Sequence, residues 1–138
     1  MATALLVLAL VFPHGTATIA TPNARVTVRV EIANNDARRE RGLMFRKRLA
    51  PNAGMAFIWR DDVQGAFWMK NTLIPLSIAF YDARGRILRI LDMAPCLADP
   101  CPVYDPGSAY RGALEVNKGA FRRWKVRVGD RIVVRLSR

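Results

Sequence analysis

From Arg25 to Ile32 the residues alternate without a fault: Val26, Val28, Val30 and Ile32 lie on one side of an extended chain, Arg25, Thr27, Arg29 and Glu31 on the other. A period of two belongs to a strand with one face buried and one in water, not to a helix. The other apolar runs are also short and bounded by turn residues. Met55–Trp59 reads as a strand ending at the polar loop 60–65, and Gly65 starts another. Ala113–Asn117 and Gly129–Leu136 read as two more, the latter with Ile132, Val134 and Leu136 inward. Ile74–Met93 reads as a hairpin turning at Asp82–Gly85, with glycine where the turn needs a positive φ.

Two stretches carry helical spacing instead. Asn34 or Asn35 can cap a short helix from Asp36 to about Gly42. Asn117 can cap a second one within 118–126, whose Ala120, Phe121 and Trp124 share a face. Residues 94–107 hold four prolines and two cysteines in fourteen positions, which forbids a regular element. The expectation is an α+β, β-rich single domain of six or seven short strands, a partly open barrel or a sandwich, with two short helices. A chain of 138 residues is long enough for one core.

The first 24 residues carry no charge, and the apolar run Ala2–Phe12 is too short to span a bilayer. Residues 1–20 read as a signal peptide, with Gly15 and Ala17 or Thr18 and Ala20 as the small pair before the cut, and 21–138 as the folded domain. The usual basic start is missing, so either the true start lies further upstream or the segment is a buried first helix. Export would place the domain in the periplasm or outside the cell, with no transmembrane segment in the mature chain. All of the +11 net charge would survive the cut. Such a balance favours an anionic partner. Yet eighteen of the 22 basic residues are Arg scattered along the chain, which genome composition can also produce. No nucleic-acid motif is present, so that partner is not expected.

The absent residue types narrow the chemistry. His14 is the only histidine and falls in the presumed leader, which leaves the mature domain without imidazole for a triad, a general base or a His-based metal site. Cys96 and Cys101 are expected to close one short disulfide, worth about 2 kcal/mol for so small a loop. The rival is a redox pair, which usually has two intervening residues rather than four. Met44, Met55, Met69 and Met93 could offer thioethers to Cu(I), but their apolar surroundings point to core packing. No cofactor or metal is expected.

The blocks "RGLMFRKRLAPNAGMAFIW", "FWMKNTLIPLSIAFYDARGRI", "APCLADPCPVY" and "ALEVNKG" with "VGDRI" resemble the family known as domain of unknown function 192, small bacterial and archaeal proteins that are often exported. The resemblance runs from about Arg38 to Val134. It implies a compact β-rich fold and brings no activity, cofactor or substrate with it. The family often has an acidic residue where this chain has Ser77, so a role for that carboxylate would be missing here.

If Gly65–Asn71 is extended, Phe67, Met69 and Asn71 share one face, and Trp68, Lys70 and Thr72 the other. Trp68 and Lys70 then stand side by side, either covered and snorkelling to water or bordering a shallow cleft. In the second case Trp68 is an aromatic platform, and Lys70, Asn71 and Thr72 are donors. Arg41 from the first helix, and Glu115 and Asn117 from the later strand, complete the candidate ligand-binding set. The function expected is a non-catalytic exported domain for an anionic or polyhydroxylated envelope ligand. The alternatives are a histidine-free enzyme with Lys70 or Glu115 as proton carrier and, more weakly, a Met/Cys copper-handling protein.

Overall fold

The structure is a computed structural model and describes residues 10–138. Along the chain run β1 (His14–Ala20), β2 (Arg25–Ala33), α1 (Asp36–Arg41), β3 (Ala53–Val63), β4 (Phe67–Trp68), β5 (Leu76–Tyr81), β6 (Ile87–Met93), β7 (Val103–Tyr104), β8 (Tyr110–Asn117), α2 (Ala120–Arg123) and β9 (Arg131–Leu136). Seven strands form one sheet in the order β6-β5-β8-β3-β2-β1-β9, and β4 pairs with β7 apart from it. Only β2 and β3 run parallel, because α1 and the loop after it carry the chain back across.

The sheet curls into a half-barrel. At one end its two edge strands meet: Ile132 N donates to Gly85 O at 2.7 Å, and Ile87 N to Asp130 O at 2.8 Å. Gly85, in the β5–β6 turn, has φ +81, and a Cβ there would run into the Ile132 carbonyl oxygen. The turn glycine read from the sequence thus also lets the seam close.

Around β5 and β8 both faces of the sheet are buried. On the inner face Ile19, Val28, Val30, Ile32, Leu114, Val116 and Ile132 pack with Phe121 of α2. On the outer face Met55, Phe57, Leu76, Ile78, Phe80 and Met93 pack beneath Leu43 and Met69. All six residues of β5 are therefore buried. Each large apolar side chain so buried contributes about 1.5–3 kcal/mol.

Sequence expectations are refined or overturned at several places: residues 94–107, expected to hold no regular element, contribute the short strand β7, which pairs with β4. His14–Ala20 is an inner strand, paired with β2 on one side and β9 on the other, with Ala17 and Ile19 fully buried. Cuts after Ala17 or Ala20 would fall in or at the end of that strand, and His14 belongs to the fold. The segment is a strand and not the buried helix of the alternative, because alternate residues of 14–20 meet the inner core. Residues 1–9 of the expected leader lie outside the described residues. Asn35, not Asn34, caps α1, accepting from Arg38 N at 2.9 Å. Asn117 does not cap α2: Gly119 stands at that position, and Asn117 Nδ2 donates instead to Leu49 O at 2.8 Å. Leu136 is half exposed at the end of β9, beyond the reach of the core.

Gly85→Ala is expected to lower stability by about 2 kcal/mol or more, from left-handed strain and the clash at the seam. Urea unfolding of the variant checks this; an unchanged midpoint would mean that the seam carries no stability.

Candidate functional site

The outer layer over β3 and β8 does not close completely. It leaves a cavity of about 440 Å³ between α1 with its following turn and the segment Gln64–Trp68. Side-chain alternation along β3, together with a register shift between β3 and β8, builds the floor. Along β3, Phe57 and Trp59 point outward, and along β8, Tyr110 and Glu115 reach the same cavity. Gly42 ends α1 with φ +48, its N–H donating to Arg38 O at 2.9 Å, and so turns Leu43 inward under the cavity.

The walls are aromatic and interlocked edge to face. Phe67 lies 4.9 Å from Phe57 and 5.5 Å from Phe80, and Tyr110 lies 4.9 Å from Phe80 and 5.5 Å from Trp59. Tyr110 Oη donates to Gly65 O at 3.1 Å, tying β8 to the loop that forms one wall. Two arginines of α1 differ in their freedom. Arg39 lies 5.0 Å over the Trp59 ring, donates twice to Ile58 O and pairs with Asp36. Arg41 lies 5.0 Å from the Phe45 ring and makes no ion pair with any described residue.

Glu115 is the unusual member. It is 4% exposed, on a strand between β3 and β5, and its carboxyl makes no hydrogen bond or ion pair with a described residue. Burial alone pushes its pKa up to about 8. At pH 7 it is a neutral acid, able to donate as well as accept.

Of the residues proposed from the sequence, Arg41, Trp68, Thr72 and Glu115 line this cavity. Trp68 is 48% exposed, so it is not covered as the simpler reading had it. Lys70, Asn71 and Asn117 do not line the cavity. The extended reading fails at Asn71, whose φ of +57 turns the chain and sends Thr72 inward. Asn71 acts through its backbone: its N–H donates to Cys96 O, and its carbonyl accepts from Phe45 N, both at 2.9 Å. Lys70 pairs with Asp99 at 2.9 Å while its ammonium sits 5.3 Å from the Trp68 ring centre. It braces the platform from behind. Cys96 and Cys101 form the expected disulfide, which pins the loop that carries both Asp99 and the Cys96 carbonyl. Met55, Met69 and Met93 are core residues, and Met44 lines the cavity. With both sulfurs of the cysteines in the disulfide, no thiol accompanies the methionines.

The sequence reading missed Phe57, Trp59, Phe67 and Tyr110. Met55, Phe57 and Trp59 share one face of their strand by spacing alone, a usable signal for the first two of these four.

A family model for domain of unknown function 192, described as "Uncharacterized ACR", matches residues 17–134. The chain belongs to that family. The match begins inside β1, in keeping with the strand's place in the sheet. Two solved structures share the fold of this family member. One is a provisionally named transcription regulator from Sinorhizobium meliloti 1021, with 29% identity, a TM-score of 0.85, and coverage of 91% of this chain and 97% of that one. The other is a protein of unknown function from Novosphingobium aromaticivorans DSM 12444, with 29% identity, a TM-score of 0.77, and coverage of 86% and 83%. A comparison with curated proteins found no match.

The raised pKa of Glu115 has a thermodynamic signature. Between its unfolded value of 4.5 and about 8, the folded chain holds a proton that the unfolded chain has lost. Stability therefore falls as pH rises through that window, by a few kcal/mol from this residue. Glu115→Gln is expected to remove that slope and raise the melting temperature at pH 8 more than at pH 5. Thermal unfolding across pH checks it; parallel curves for the two proteins would contradict a buried, partnerless acid.

Proposed function

We propose that this chain is a non-catalytic binding domain whose ligand, anionic or polyhydroxylated with an apolar face, occupies the cavity between α1 and Trp68. One observation carries the reading: the Glu115 carboxyl faces that cavity and has no hydrogen-bond or ion-pair partner among the described residues. Buried polar groups with a structural role are hydrogen-bonded, since desolvation without a partner is costly. Here a ligand oxygen can serve as that partner. The aromatic walls offer platforms for a ring face, Arg41 brings an unpaired positive charge to the mouth, and about 440 Å³ suits a small organic molecule.

Glucuronate and glucose, an acidic and a neutral sugar, serve as probes in calorimetric titration. Saturable binding is expected for the wild type, about tenfold weaker in Trp68→Ala and, for glucuronate, in Arg41→Ala. Glucuronate affinity is expected to fall as pH rises past about 8, when Glu115 ionises and repels the anion. Binding that is the same in all three proteins would reject the site. A second reading rests on Glu115 as well: a buried acid that holds its proton at pH 7 is suited to general acid catalysis. Turnover of any bound sugar that is lost in Glu115→Gln while binding persists would favour it. Lys70, engaged by Asp99 away from the cavity, is not part of that reading.

We also infer that the domain works in an oxidising compartment after export. The uncharged, apolar start and the disulfide support this. Any leader then ends before His14, because β1 holds two neighbouring strands. Intact-mass and N-terminal sequencing of the protein from its native envelope is expected to give a first residue at or before His14. A mature chain beginning at Thr18 or Thr21 would overturn this.

A further inference from the structure

A second cavity lies on the inner side of the sheet, away from Glu115, where the end of β5 meets α2 and the turn after it. Its volume is about 260 Å³, below the roughly 300–1,000 Å³ of sites for drug-sized molecules. Ser77, Asp92, Arg122, Lys125 and Arg127 line it, with Phe121 as an apolar wall. The three cations outnumber the one carboxylate, leaving a local excess of two positive charges (three minus one). None of the three cationic side chains makes an ion pair with a described residue. Cations gathered around a concavity without counter-charges raise the local concentration of anions.

The polar floor is fixed. Ser77 is 1% exposed; its hydroxyl donates to Asp92 Oδ1 at 2.6 Å and accepts from Gly119 N at 3.0 Å. The Gly119 N–H is thereby used within the protein, so an anion here relies on the side-chain cations. Ser77 also holds Asp92 in place, with one carboxylate oxygen engaged and the other left to accept a hydroxyl. Were the floor a second acid in place of Ser77, the local excess would drop by one charge.

We propose that this cavity binds a small hydroxylated phosphate monoester, the phosphate held by Arg122, Lys125 and Arg127 and a ligand hydroxyl donated to Asp92. Arginine forks match phosphate oxygens, and a dianionic group balances the excess of two charges. The neutral part of the ligand packs on Phe121.

Calorimetric titration at low and moderate salt with glycerol 3-phosphate, inorganic phosphate and glycerol tests this. Glycerol 3-phosphate is expected to bind saturably and more tightly than inorganic phosphate, and glycerol not at all. The exposed pair Arg122→Ala/Arg127→Ala is expected to lose about tenfold or more for both phosphates. Asp92→Asn is expected to abolish the preference for glycerol 3-phosphate while leaving inorganic phosphate bound at least as well. As a control with the same charge change, Arg25→Ala/Arg29→Ala on β2 is expected to keep wild-type affinity. An equal loss in that control would assign the binding to overall charge and overturn the site. No saturable binding of glycerol 3-phosphate to the folded wild type would overturn the ligand class.

Discussion

Every residue of β5 is buried, and a strand in that position needs a packed layer on each side. The inner layer comes cheaply in chain length: curling brings β1, β2 and β9 across from β5, and α2 with Val126 fills the space between them. The outer layer has to be assembled from irregular pieces, namely α1 and its turn, the segment 64–75 and the disulfide loop. Irregular backbone carries polar groups that must find partners. Here they find one another, through Asn71 bonded to Cys96 on one side and Phe45 on the other. The cavity over Glu115 is the gap that such a layer leaves.

A carboxylic acid at the bottom of that gap works against folding. An apolar residue of similar size would fill the floor without desolvating a polar group, and no arginine or amide among the described residues bonds to it. The surroundings are braced. Trp68 is held from behind by Lys70, Lys70 is held by Asp99, and Asp99 is held by a loop that a disulfide closes.

The strands were legible where one simple period governed them. Val26 to Ile32 obeyed the rule of two, the 74–93 hairpin and the β8 core showed as short apolar runs bounded by turn residues, and Asn35 announced α1 through its capping chemistry. The reading failed where tertiary partners override local pattern. His14–Ala20 has no charge and small residues at every other position, so it resembles a leader as much as a strand; only its pairing with β9, more than a hundred residues on, decides the matter. Asn71 broke the alternation because two distant backbone groups reward a left-handed residue there, and no spacing rule records that. Part of the cavity was visible because Trp68, Thr72, Arg41 and Glu115 are chemically conspicuous. Its aromatic floor was not, since Phe57 and Tyr110 differ in no way, as residue types, from the phenylalanines and tyrosines of a core.

β1 joins β9 to the rest of the sheet over six paired residues, and the seam at Gly85 is the other backbone-paired attachment of β9. A chain clipped within β1 would bare the edges of β2 and β9 along their whole facing length, two rows of unpaired amides and carbonyls beside apolar side chains. Such edges recruit strands from other copies. Loss of β1 would thus surface as self-association of the domain rather than as a quiet local defect.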